Sequence, residues 1–274
     1  MMKLFSIFTL SLLTLLSATS ATPLNLVTYN IRLDIHVDQG DRDWNQRKGT
    51  VTKFLRESGA SIIGMQEVLH GQLVDLTKAL PELKSTGVGR DDGKTKGEYS
   101  PIFYNPKIWT IDAEDHGTFW LSGTPQIPGS TTWGNRTTRI CTYARFSDKS
   151  GKSIYVFNTH WDHQNQNSRE KAAELILRKI STRKHLNDPV ILMGDFNANS
   201  ENKAIQRLLD SPLLIDPCEQ QVITYNTWQA GLKPGLRIDH IFTSPSLKDV
   251  TVKVINNGNP PGSDHHPLQL TQSP

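Results

Sequence analysis

Short apolar runs recur along the chain, and most stop on Gly, Pro, Asn or Asp: "LNLVTYNIRL", "SIIGMQEV", "SPIFYN", "GTFWL", "RICTYARF", "SIYVFNTHWDH", "PVILMGDFN", "LRIDHIFTS" and "VTVKVI". Rich in Val, Ile, Tyr, Phe and Thr, they predict β-strands. Helical spacing appears between some of them. "SREKAAELILRKI" puts Ala173, Ile176, Leu177 and Ile180 on one face, and "NQRKGTVTKFLRES" and "GQLVDLTKAL" read the same way, with Gly49, Val51 and Thr52 weakening the former. Strands outnumber helices, and no repeat or linker interrupts them. The expectation is one α/β domain over 22–274: two packed sheets with helices on their outer faces. A doubly wound parallel sheet would need a helix between nearly every strand pair.

The polar residues that end these runs form a second pattern. "LVTYN" ends on Asn30, "IIGMQE" on Glu67, "YVFNTH" on His160 and "LRIDH" on Asp239, while "GSDHH" brings Asp264 and His265 near the terminus. In "GDFN" the alternation of a strand aims Asp195 and Asn197 to one side and anchors Phe196 on the other. An Asx turn closing the strand explains that stretch equally well when it is taken alone. Clustered carboxylates raise one another's pKa unless something positive sits among them, so a shared site with a divalent cation accounts for the set. Oxygen donors without a thiolate framework select Mg²⁺, with Mn²⁺ or Ca²⁺ as substitutes. Zinc is disfavoured because no HExxH helix is present, and neither a GxSxG elbow nor a P-loop occurs.

Composition narrows the setting. Met-Met-Lys, an apolar run from Leu4 to Leu16 and the small residues ending at Ala21 predict a secretory signal over 1–21, too short to span a bilayer. The mature chain is expected to be secreted or extracytoplasmic, without a transmembrane segment, and a monomer. A net charge of +3 tolerates polyanions without announcing a nucleic-acid-binding module. An oxidising compartment permits a disulfide between Cys141 and Cys218, and a buried thiol suits Cys141 as well. Asn135-Arg-Thr137 is a glycosylation sequon, usable in a eukaryotic source. The loop "WLSGTPQIPGSTTWGNRTT" is longer than a mere connection requires, and Trp120, Trp133 and Trp161 suit either the core or a stacked base or sugar.

"LVTYNIR", "IIGMQEV", "GEYSPIFY", "FNTHWDH", "MGDFNA", "RIDHIF" and "SDHHP", in this order over nearly all the mature chain, resemble the endonuclease/exonuclease/phosphatase superfamily. "GTFWLS" followed by "TRICTYARF" resembles a bacterial and fungal subgroup of it. The resemblance implies a four-layer α/β/β/α sandwich with a metal site along one edge of the paired sheets. It implies that Asn30 and Glu67 hold the metal, with Asp264 as the second metal-side carboxylate. Asp195 and Asn197 would orient or deprotonate the attacking water. His160 and His265 would bracket the scissile phosphate, supported by Glu98 and Asp239 respectively. His163 and His266 have no counterpart. The expected activity is Mg²⁺-dependent phosphoester hydrolysis by direct attack of water. A nuclease acting on nucleic acid or nucleotides leads, because Arg90, Lys94, Lys96 and Arg139 would suit a phosphate backbone. A small-molecule, inositol or lipid-headgroup phosphatase is the alternative within the same chemistry. A non-catalytic binding protein on the same fold is the rival outside it.

Overall fold

The computed structural model describes residues 23–272, so the predicted signal over 1–21 lies outside the described residues. In chain order the elements are β1 (Asn25–Asn30), α1 (Trp44–Glu57), β2 (Ile62–Gln66), α2 (His70–Ala79), β3 (Lys84–Thr86), β4 (Ile102–Tyr104), β5 (Trp109–Trp120), β6 (Ile140–Asp148), β7 (Ser153–His160), α3 (Gln166–Ser181), β8 (Val190–Asp195), α4 (Lys203–Leu209), β9 (Asp239–Thr243), β10 (Val250–Val254) and β11 (Leu268–Gln272). One sheet runs β10-β11-β1-β2-β4-β3 and the other β5-β6-β7-β8-β9. Both are mixed.

Side-chain alternation divides the interior into three apolar layers. Leu26, Ile62, Phe146, Val156, Ile191 and Ile241 meet between the sheets. Their neighbours Val27 and Ile63 turn outward to Val51, Leu55 and Leu76 of α1 and α2, and Tyr155, Phe157 and Leu192 turn to Ala173, Ile176, Ile205 and Leu208 of α3 and α4. The result is the expected α/β/β/α sandwich. Cys141 belongs to the layer under α3 and Cys218 to the one between the sheets, and both are free thiols. Between the sheets the Gln66 amide donates to Asn158 Oδ1 (2.6 Å), and the Asn158 amide donates to the Met65 and Pro101 carbonyls (2.8 and 2.9 Å).

Each sheet contains one parallel pair joined through a helix: β1–α1–β2 and β7–α3–β8. Parallel strands end on the same edge, so Asn30 with Gln66, and His160 with Asp195, emerge side by side as cross-strand partners. β9 runs antiparallel to β8, which places its first residue, Asp239, opposite Asp195 on that edge. Gly194 makes the β7–β8 approach possible: its φ is +146°, and a Cβ there would collide with the Thr159 carbonyl.

Candidate active site

The cleft on this edge has a volume of about 340 Å³. Glu67, Glu98, His160, Asp195, Asn197, Asp264 and His265 line it, and Asn30 and Asp239 stand behind them. Asp195 is the centre. Its Oδ2 accepts from the Asn30 amide (2.9 Å) and lies 3.5 Å from His160 Nε2 and 3.8 Å from His265 Nε2. Its Oδ1 accepts from the Asn197 backbone N–H (2.8 Å), so the Asx turn and the shared site coexist in one residue. Phe196 is fully buried against Trp161 and Phe242, which fixes the strand end.

Glu67 follows β2 in the left-handed region at φ +62°, a conformation that non-glycine residues adopt at a cost of about 1–3 kcal/mol. This turn points its carboxylate into the cleft. Oε1 accepts from the Asn30 amide (3.0 Å) and Oε2 from the Leu33 N–H (3.1 Å). The Asn30 oxygen accepts from the Arg32 N–H (3.0 Å). Burial opposes the Glu67 charge, but the Asn30 amide and the His265 cation hold its carboxyl below the usual range. Burial lifts the Asp264 carboxyl above its usual range, and Glu67 adds to the effect. Asp264 Oδ2 is 3.8 Å from Arg32 Nη1.

The two histidines differ. His265 Nδ1 faces Asp239 Oδ2 at 2.9 Å, and the carboxylates of Asp239, Asp195 and Asp264 overcome burial to raise its pKa well above the ordinary value. It is an imidazolium at neutral pH. Burial, with Arg139 adding to it, pulls His160 down to about 3. Its Nε2 accepts from the Asn197 amide (3.0 Å), which leaves the proton on Nδ1, 3.6 Å from Glu98 Oε2. That separation is too long for a hydrogen bond. Glu98 is closed instead on Arg90 Nη2 (2.7 Å), with Arg139 Nη1 at 3.9 Å.

Arg90 and Arg139 form one end of the cleft. Arg139 is buried, its Nε and Nη1 make no hydrogen bond, and burial lowers its guanidinium below the ordinary arginine value. Such donors suit a ligand anion. Lys94 and Lys96 lie exposed on the adjoining turn, outside the cleft. His163 reaches the cleft and Arg139 Nη2 (3.2 Å), while His266 is buried between Asn257 and the Gly231 carbonyl. None of the three tryptophans lines the cleft: Trp120 and Trp161 are buried, and Trp133 packs on the α3 layer. Asn135 of the sequon is buried and its amide donates to the Thr137 carbonyl (2.8 Å).

Two features in and behind the cleft wall escape the strand pattern. Tyr225, exposed on a loop, packs its ring 5.1 Å from His265. Arg47, on α1, is buried with all five N–H groups on backbone carbonyls: Nε on Arg42 (2.8 Å), Nη1 on Ile31 and Gly262 (3.2 Å), and Nη2 on Arg32 (2.7 Å) and Leu33 (3.2 Å). It thereby binds the loop after β1 to the segment that carries Asp264.

The donor chemistry fits a hard divalent cation. Carboxylate oxygens of Glu67 and Asp195 lie within 4.8 Å of one another beside His160, and those of Asp195 and Asp239 do so beside His265, in a cleft free of thiolates. Among the described residues a third such group, Asp112, Asp115 and His185, has its carboxylates occupied by Arg145 and Tyr155. No helix among the described residues is long and apolar enough to cross a membrane.

The Endonuclease/Exonuclease/phosphatase family matches residues 27–265. No curated protein matches by sequence. Among solved structures, a family protein from Bacteroides thetaiotaomicron is 33% identical with a TM-score of 0.83, covering 91% of this chain and 97% of that one. A mannosyl-6-phosphatase from the same organism is 33% identical with a TM-score of 0.82, covering 90% and 98%. D. rerio TDP2 complexed with single strand DNA product shares the fold at 16% identity, with a TM-score of 0.70 and coverage of 91% and 98%.

Proposed function

The chain belongs to the endonuclease/exonuclease/phosphatase family, and from that premise we propose that it is a Mg²⁺-dependent phosphatase that releases phosphate from a small phosphorylated sugar. The observation that carries this reading is the compact cleft, about 340 Å³, with Arg90 and Arg139 at one end. That volume is at the low end of small-ligand sites, about 300–1,000 Å³. A 33% identical relative that is a mannosyl-6-phosphatase supports it. The nuclease reading keeps one observation in its favour: Arg32, Arg90 and Arg139 on the cleft wall also suit a phosphodiester backbone.

Glu67 and Asp264 would hold the ion, with the Asn30 amide orienting the Glu67 carboxylate. When bound, the ion supplies positive charge to the phosphoryl oxygens as their charge develops. Arg90 and Arg139 bind and orient the phosphate. Asp195 takes a proton from the attacking water as its oxygen bonds to phosphorus. The ester P–O bond breaks, and the His265 imidazolium gives its proton to the leaving sugar oxygen. The proton on Asp195 then returns to His265 across the 3.8 Å that separates them, which restores both groups; because water is the nucleophile, no covalent enzyme intermediate is formed. His160, neutral, holds the Asn197 amide beside the phosphate.

A phosphate-release panel of hexose 6-phosphates, nucleoside monophosphates, bis-nitrophenyl phosphate and plasmid DNA, with and without chelator, tests this. Hexose phosphates should turn over fastest, and only with Mg²⁺. Cleavage of DNA or the diester without release from sugar phosphates would replace the phosphatase reading with the nuclease one.

A further inference from the structure

Beside the cleft, and sharing Tyr225 with it, lies a second cavity of about 250 Å³ that the proposed chemistry does not use. Its walls include Ile223, Tyr225, Thr227, Gln229, Lys233 and His266. We propose that it is the subsite for the sugar ring of the substrate, with Tyr225 as the platform under that ring; this rests on the phosphatase reading above.

Position is the first argument. The Tyr225 ring lies 5.1 Å from the His265 imidazole and is about half exposed, at 47%. His265 and Tyr225 both line the cleft and Tyr225 also lines the cavity, so a group esterified to a phosphate held in the cleft has the Tyr225 ring directly beside it.

Rigidity is the second. Thr227 and Trp228 are consecutive non-glycine residues in the left-handed region, at φ +54° and +65°. The surrounding structure holds them there. The Asn226 and Thr227 N–H groups donate to the Asp264 carbonyl (2.7 and 3.3 Å), the Asn226 amide donates to the Ser263 carbonyl (3.2 Å), and the His266 N–H donates to the Thr224 carbonyl (2.7 Å). The Trp228 ring is stacked by the guanidinium groups of Arg42 and Arg47, 5.6 and 5.5 Å from its centroid. The cavity wall is therefore built onto the same segment that carries Asp264 and His265.

Chemistry is the third. Around the aromatic face stand the Thr227 hydroxyl, the Gln229 carboxamide and the Lys233 ammonium, already linked to one another by hydrogen bonds. Hydrogen-bonding groups without a carboxylate, beside an aromatic face, match a sugar, whose C–H face is apolar and whose edges carry hydroxyls. No carboxylate or arginine lines this cavity, and its one lysine ammonium is already hydrogen-bonded to the Gln229 carboxamide, so the paired arginines stay with the neighbouring cleft. Its volume is below the drug-sized range of about 300–1,000 Å³, which suits a single ring.

The test compares Gln229→Ala, Lys233→Ala and the double variant on a hexose 6-phosphate and on p-nitrophenyl phosphate, which has no hydroxyls to bind. The expected result is a KM for the hexose phosphate raised by about three- to tenfold per variant, the worth of one hydrogen bond, with kcat and the p-nitrophenyl phosphate constants unchanged. Tyr225→Phe should keep sugar binding and Tyr225→Ala should lose it. Saturation-transfer NMR with free mannose and glucose reads the subsite without turnover: contact with the wild type that disappears in the double variant supports it. Equal changes on both substrates, or no contact with free hexose in the wild type, overturn the subsite. Failure to release phosphate from any sugar while free hexose still binds would instead overturn the phosphatase reading.

Discussion

His160 and His265 flank one carboxylate, Asp195, in opposite protonation states, and this makes the stability of the metal-free protein depend on pH in two directions. An unfolded histidine titrates near 6.5. Below that value the unfolded chain takes up a proton at residue 160 that the folded protein refuses until about pH 3, so acidification costs stability through this window. Above it the folded protein keeps a proton on His265 that the unfolded chain releases, so alkalinisation costs stability until the raised folded pKa is passed. In urea titrations with chelator, His160→Gln should flatten the slope of stability against pH between about 5 and 6.5, and His265→Gln the slope above about 6.5. Slopes equal to wild type would refute the two assignments. The residues of this site were legible in the sequence wherever an apolar strand ran into a polar end, as at Asp195 and His160, whereas Asp239 opens its strand rather than closing the apolar run before it. Arg47 was not, because a lone arginine on a predicted helix reads as a solvated charge until its five carbonyl partners are seen. Tyr225 was not either, since a loop has no periodicity to mark which side faces the cleft.

Among the elements, the sequence patterns revealed those long enough to repeat. α1, α2, α3 and most strands follow the apolar periodicity, whereas α4 spans seven residues and β3 three, too few to establish a period. β11 begins just after "SDHHP", whose polar character hid the strand that pairs with both β1 and β10. β5 runs Trp109–Trp120 through a register shift between Ile111 and His116, and this irregularity breaks the alternation that identified only its "GTFWL" end. Element context also reverses the sign of one substitution. Gly49→Ala, in the middle of α1 with nothing within 4 Å of the new methyl group, should stabilise by about 0.5–1 kcal/mol. Gly194→Ala, at φ +146° with its Cβ forced onto the Thr159 carbonyl, should destabilise by about 1–3 kcal/mol or more and lower activity by displacing Asp195. Urea midpoints for both variants check this. A tolerated Gly194→Ala would mean that β7 and β8 do not approach as described.

Over the whole molecule, the two sheets aim the ends of their parallel pairs at one cleft, while the Gln66–Asn158 amide contact joins them just beneath it. Arg47 and Trp228 extend this joining across the top, so the loop after β1, the segment that carries Asp264 and the Tyr225 loop form one body. The register has a further consequence. His160, Asp195 and Asp239 are successive cross-strand partners on β7, β8 and β9, so their backbones stand one strand spacing apart, about 4.8 Å. The sheet is a ruler, and these three residues sit on adjacent graduations. Reach toward the reacting atoms is then set by side-chain length alone, because the mounts cannot slide without breaking the ladder. Asp195→Glu, which keeps the charge and adds one methylene, should lose about 10²-fold or more in kcat, the toll of a misplacement near 1 Å. Measured beside Asp195→Asn on the same substrate, it separates distance from charge: a Glu variant that kept most of its turnover would show that the ruler does not set the rate.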